Sequence, residues 1–207
     1  MSTRDLVLER ANELPYKAFT SSDFLDLEAY KNISKALETL QKSGDLLRVR
    51  RGVYYLPRKN RKFGFIEPPD IDEVAKAIAR QYNLNIVPSS NHALNMVGIS
   101  NQVPSSYLYI TDGPYNEYMV GNIPIRFKHA TKKEINGLRF KNLVAIQAIK
   151  SLGRDNITKD VETKISRFLD EDDKQELRKN KIKITSWIYD LLRRCIDNGE
   201  INNLSCK

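Results

Sequence analysis

The stretch LLRVRRGVYYLPRKNRK, residues 46–62, holds seven Lys/Arg, no acid and a single glycine. Leu47 and Val49 alternate with Arg48 and Arg50, the period of a strand with one buried face. Arg51-Gly52 supplies a turn and Val53-Tyr54-Tyr55-Leu56 returns. The pattern predicts a β-hairpin with Arg48 and Arg50 on one face and Arg51 at the tip. Arginine forks in that position grip phosphates or enter a minor groove, and glycine lets the backbone approach closely. A solvated basic turn is the alternative, and the flanking sequence decides between them.

Upstream, three short helices are predicted. The first covers 2–13, with Val7, Ala11 and Leu14 on one face and Pro15 near its end. Ser21-Ser22-Asp23 offers capping chemistry for a short second helix carrying Phe24, Leu25 and Leu27. The third covers roughly 31–42, with Ile33, Leu37 and Leu40 inward and Ser43-Gly44 as the stop. Its outward residues include Lys31, Asn32, Ser34 and Lys35, donors for phosphates and short polar groups for base edges. An ordinary amphipathic helix with a solvated face would look the same in isolation. Three helices followed by a two-stranded hairpin is the order of a winged helix-turn-helix.

Downstream, 57–70 (PRKNRKFGFIEPPD) combines three prolines, a glycine and the bases Arg58, Lys59, Arg61 and Lys62. A linker is expected near 57–64, dividing a DNA-binding domain at 1–62 from an α+β domain at 63–207. Asp70 and Glu73 suggest a capping box for a helix with Ile71, Val74, Ile78 and Tyr82. NIVPSSNHALNMVGIS suggests a short strand, a turn and a short helix ending near Gly98. Strands follow between Ser106 and Lys128, with turns at Asp112-Gly113-Pro114 and Gly121-Asn122. Helices then carry Leu143, Ile146 and Ile149 before Gly153, Val161, Ile165, Phe168 and Leu169, and finally Ile188, Leu191, Leu192 and Cys195. The fold class is α+β: a winged helix-turn-helix, then a small antiparallel sheet with a helical tail.

Charge is concentrated in the first part. The chain of 207 residues carries a formal +8, of which residues 1–63 contribute +5 (13 Lys/Arg, 8 Asp/Glu). A polyanionic partner is favoured. No apolar run reaches the ~20 residues of a membrane span, and the start does not read as a signal peptide. Cys195 falls on a helix face and Cys206 beside the last residue, so a reducing cytoplasm is expected rather than a disulfide framework.

Catalytic patterns are weak. His92 and His129 have no cysteine nearby, so no zinc spacing exists, and no phosphate-binding or nucleophile-elbow motif occurs. Ser89, Ser90 and His92 are close in sequence but define no triad, and PSSNHAL reads as a turn and helix cap. The run Asp170-Glu171-Asp172-Asp173 lacks metal-loop spacing and reads as a charged helix end. Tyr54 and Tyr55 alternate, so one is expected inward as a core tyrosine. No catalytic residue, cofactor or metal is expected, and no enzyme activity.

Taken together, SKALETLQKSGDLLRVRRGVYYLP and VPSSNHALNMVGISNQVPSSYLYIT resemble the AbiEi-type antitoxins of type IV toxin–antitoxin (abortive infection) systems. NLVAIQAIKSLG and TSWIYDLLRRCI are similar to the family's helical part, so the resemblance covers nearly the whole chain. It implies an N-terminal domain that binds double-stranded operator DNA and represses its own promoter. It also implies a C-terminal domain that counteracts a nucleotidyltransferase-type toxin without a stable complex. The DNA role carries onto Lys31, Asn32, Ser34, Lys35, Arg48, Arg50 and Arg51, with Arg58 continuing the basic run. No C-terminal residue carries over, because no short functional motif there matches. Two other readings stay open: a regulator whose C-terminal domain senses a ligand or oligomerises, and a nucleic-acid enzyme targeted by its winged domain.

Overall fold

The computed structural model describes residues 1–135, 137–180 and 184–204. The chain forms two compact units, one of residues 1–84 with 118–125, the other of 85–117 with 126–207. It is a mixed α+β protein.

In the first unit, α1 (Thr3–Glu13) starts at Ser2, whose hydroxyl and the Asp5 carboxylate cap each other's backbone. β1 (Ala18–Phe19) follows, then a 3-10 turn (Ser21–Phe24), α2 (Tyr30–Ser43), β2 (Leu47–Arg50) and β3 (Val53–Tyr55). The sheet order is β1-β3-β2, antiparallel throughout. This is the winged-helix topology, in which the strand before the helical turn completes the sheet of the wing.

The expected second helix is only a 3-10 turn. Asp23 takes the Thr20 N–H at 2.7 Å, and Phe24 is fully buried while Leu25 is half exposed. So few residues give too little hydrogen bonding to sustain an α-helix on their own. Val7, Ala11, Phe19, Phe24, Ile33, Leu37, Leu40 and Leu46 form the core beneath the turn. Gly44 ends α2 in the left-handed region at φ 81°, a conformation that L side chains resist.

α3 (Ile71–Gln81) also belongs to the first unit and packs on β1, β3 and the 3-10 turn. The first compact unit therefore extends to residue 84. The expected capping box at the start of α3 is half formed. Asp70 accepts from the N–H groups of Asp72 and Glu73, but the Glu73 carboxylate turns away to the Lys17 N–H at 3.2 Å. Val74, Ala75, Ala77, Ile78 and Ala79 are buried.

The second unit is built on β4 (Ile86–Ser89), α4 (Ser90–Met96), β5 (Tyr107–Thr111), β6 (Asn116–Val120) and β7 (Ile123–His129). The sheet order is β4-β5-β7-β6, and the tip of the β6–β7 hairpin groups with the first unit. β4 and β5 are antiparallel. The Ala130 N–H bonds to Thr111 O at 2.8 Å, so the C-terminal ends of β5 and β7 lie side by side and the sheet is mixed rather than purely antiparallel.

Helices α5 (Lys132–Ile135), α6 (Phe140–Leu152), α7 (Lys159–Phe168), α8 (Glu171–Lys179) and α9 (Ser186–Leu204) complete the chain. In α6 every residue from Asn142 to Ile149 is buried, as expected for a helix surrounded by protein on all sides. Asn142 donates to Asp173 O at 2.9 Å and to the Glu176 carboxylate at 2.8 Å, which ties α6 to α8. The acidic run at 170–173 caps α8: Asp170 and Asp173 form a capping box, and Arg139 and Lys141 neutralise them. Cys195 is buried in this core, whereas Cys206 lies outside the described residues. No helix among the described residues is long and apolar enough to cross a membrane.

Candidate nucleic-acid interface

The fourteen residues of α2 separate cleanly by face. Ile33, Ala36, Leu37 and Leu40 are buried, and Lys31, Asn32, Ser34 and Lys35 are all exposed. Ala29 stands at the N-cap and supplies no side-chain oxygen, and the first turn holds no acid. The Glu28 carboxylate takes the Ala29 N–H at 3.1 Å and Ala29 O the Asn32 N–H at 2.9 Å, while the positive end of the helix dipole favours an anion there. Lys31 and Lys35 add two cations to the same end.

Three residues, 44–46, connect α2 to the wing. Asp45, the one acid of 44–62, is held by the Ser43 hydroxyl at 2.6 Å and by Arg4 at 2.8 Å. Those two contacts keep its carboxyl below the ordinary carboxylate range, the Ser43 bond foremost. The acid is thereby spent on fixing α1 to the entrance of the hairpin.

The wing departs from the simple alternation of its sequence. Pairing runs Leu47 to Tyr55 and Arg48 to Tyr54, then shifts so that Arg50 opposes Val53. A bulge at Val49 absorbs the extra residue and re-aims the side chains beyond it. Arg48 and Arg51 are exposed, but Arg50 is half-buried. The Arg50 guanidinium lies 4.3 Å from the centroid of the Tyr118 ring, close enough for cation–π attraction. Arg48 Nε donates to Arg50 O at 3.2 Å across the bulge. Arg50, expected beside Arg48 as a phosphate grip, thus lies against the Tyr118 ring while Arg48 stands in solvent. Tyr118 was not foreseen; it is remote in sequence and no local pattern marks it as Arg50's partner.

Gly52 adopts φ 82°, and a Cβ there would meet Gln81 Nε2 at 3.9 Å. The tip of the wing therefore sits beside the end of α3, and its turn requires glycine. Tyr54 packs on the core and Tyr55 is half-buried, so neither stands out as a stacking platform. Arg58 is exposed beyond the wing, on a separate turn described below.

Residues considered for chemistry elsewhere are engaged structurally. The Ser89 hydroxyl donates to Gln147 Oε1 at 3.2 Å. His92 is buried edge-on against Tyr107 and Tyr109, at 4.9 and 5.3 Å between ring centroids. His129 Nδ1 lies 2.9 Å from Gly113 O. Among the described residues no group of three or more His, Cys, Asp or Glu is placed to hold a metal ion.

Helix order, strand order and the exposed row on α2 define a winged-helix protein joined to a second α+β unit. A family model matches residues 16–177, well over half of the chain, and the chain belongs to that family, the Family of unknown function (DUF6088). No curated protein matches it.

Proposed function

We propose that this chain is a sequence-specific, double-stranded-DNA-binding repressor of its own promoter. α2 enters the major groove and the wing lies on the adjacent backbone. The observation that carries the reading is the row Lys31, Asn32, Ser34 and Lys35, exposed on a helix without a side-chain cap that leads through three residues into a wing with Arg48 and Arg51 in solvent. Phosphate contacts from Lys31, Lys35, Arg48 and Arg51 set register, and Asn32 and Ser34 read base edges. Arg50 holds the wing through Tyr118.

The resemblance to AbiEi-type antitoxins extends the reading. The second unit counteracts a nucleotidyltransferase-type toxin in the cytoplasm, without a lasting complex. Support for this part is the likeness of both halves of the sequence to that family. Two observations test it: the reading frame adjacent to this gene encodes a nucleotidyltransferase, and inducing that protein arrests growth that co-expression of this chain restores. Continued arrest, with both proteins present by immunoblot, contradicts it. DNA binding is tested by gel-shift titration on the duplex upstream of the gene.

A further inference from the structure

Residues 58–67, which overlap the linker expected near 57–64, form a closed antiparallel turn. Lys59 and Ile66 make a β-bridge. The Glu67 N–H bonds to Arg58 O, the Asn60 N–H to Phe65 O and the Gly64 N–H to Asn60 O, each at 2.8 Å. Asn60 organises the turn. Its Oδ1 accepts from the N–H groups of Lys62 and Phe63 at 3.0 Å, and its Nδ2 donates to Glu67 at 3.0 Å. A side chain that replaces backbone partners in this way fixes a tight turn without an apolar core.

The turn presents two features together. Phe63 and Phe65 are 68% and 51% exposed, with ring planes only 17° apart and centroids 6.3 Å apart. Around them Arg58, Lys59, Arg61 and Lys62 are all exposed, and Lys62 Nζ stands 5.2 Å from the Phe63 centroid. The Glu67 carboxylate, the one acid of the turn, is taken up by Asn60. Exposing two large rings to water is unfavourable, and placing them among four cations specifies an occupant that is both flat-faced and anionic. Unpaired nucleobases on a phosphate backbone have that chemistry, because every base offers a π-face and every linkage a negative charge.

We propose that the 58–67 turn binds single-stranded nucleic acid, stacking unpaired bases on Phe63 and Phe65 and holding the flanking phosphates with Arg58, Lys59, Arg61 and Lys62. This site is additional to the duplex-reading surface of α2 and does not depend on it.

The test is fluorescence anisotropy of the full chain with labelled dT12 and rU12 at 50 mM salt, comparing wild type, F63A/F65A and F63Y/F65Y. Both rings are exposed, and circular dichroism checks that each variant is folded. Wild type binds at least one oligomer; F63A/F65A loses on the order of tenfold or more in affinity, the scale of lost stacking; F63Y/F65Y recovers it. The preferred oligomer tells DNA from RNA. Equal binding by F63A/F65A and wild type overturns the proposal, as does failure of wild type to bind either oligomer. A parallel titration with specific and scrambled duplexes reads the α2 surface separately, so loss of one reading does not mask the other.

Discussion

Arg80 Nε lies 2.7 Å from Asp23 Oδ1, joining the last turn of α3 to the 3-10 turn of the winged helix. The Asp23 side chain is 4% exposed, and the contact is reinforced on every side. Arg80 donates to Ala18 O at 2.8 Å and lies 3.7 Å from the centroid of the Tyr16 ring. The Tyr16 hydroxyl donates to Asp23 at 3.1 Å. Removing Arg80 leaves a buried carboxylate short of its cation, a larger loss than for a solvated pair. Arg80→Ala is expected to cost about 2 kcal/mol and to lower Tm by ~4–8 °C. A double-mutant cycle with Asp23→Asn measures the coupling, and additive losses contradict it.

Arg48 and Arg51 are the exposed arginines of the wing. The double variant Arg48→Ala/Arg51→Ala is expected to weaken binding to specific and scrambled duplexes alike and to flatten the log–log salt slope by about 2. Salt titrations by anisotropy give that slope directly. An unchanged slope removes the wing from the interface.

Asn32 and Ser34 differ from the lysines beside them in what their replacement changes. Asn32→Ala is expected to cost about 1–3 kcal/mol of discrimination between specific and scrambled DNA, with little loss on the scrambled duplex. Competition gel shifts report the ratio, and a parallel loss on both duplexes makes Asn32 a backbone contact instead.

Much of the winged helix is written in local pattern. The Ile33, Leu37 and Leu40 spacing, the Gly44 stop and the Arg51-Gly52 turn each follow from one side chain's geometry. What is not local could not be read. β1 is two residues long and exists because β3 lies beside it. The grouping of α3 with the first unit depends on Arg80 finding Asp23 across 57 positions. Arg50 reads as Arg48's equal until the bulge and Tyr118 redirect it. The basic, glycine- and proline-bearing run 57–64 looks unstructured because its order comes from Asn60 side-chain bonds, which leave no periodicity.

Burial pushes the Cys195 thiol up to about 12 from its ordinary 9.0, with the nearby Glu162 charge adding to the effect. A raised value means that the folded chain keeps the proton. The associated stability is intact below pH 9 and is lost between pH 9 and about 12, as the unfolded thiol ionises first. Cys195 is therefore expected to resist iodoacetamide at pH 8 until denaturant is added, as read by peptide mapping. Rapid labelling of the native protein contradicts its placement in the core.

Asp170 has its carboxyl held far below the ordinary carboxylate range, first by the Asp173 N–H and then by Lys141. A depressed value gives stability that is present above pH 3.8 and fades as the pH falls below it. Asp170→Asn keeps an oxygen for the Asp173 N–H but removes the charge that pairs with Lys141 and faces the α8 N-terminus; it is expected to lower Tm at pH 7 by ~2–4 °C, with the loss shrinking below about pH 3. Thermal melts across pH 2–7 decide it, and a loss independent of pH contradicts the charge-based cause.

The most direct measurement of the central claim is a gel-shift titration of the full chain on the duplex upstream of its gene against a scrambled duplex, at low and moderate salt. Preference for the native duplex of ~10³-fold or more, with affinity falling steeply in salt, is the predicted result. Equal, weak binding to both contradicts it, leaving α2 and the wing as a generic basic surface.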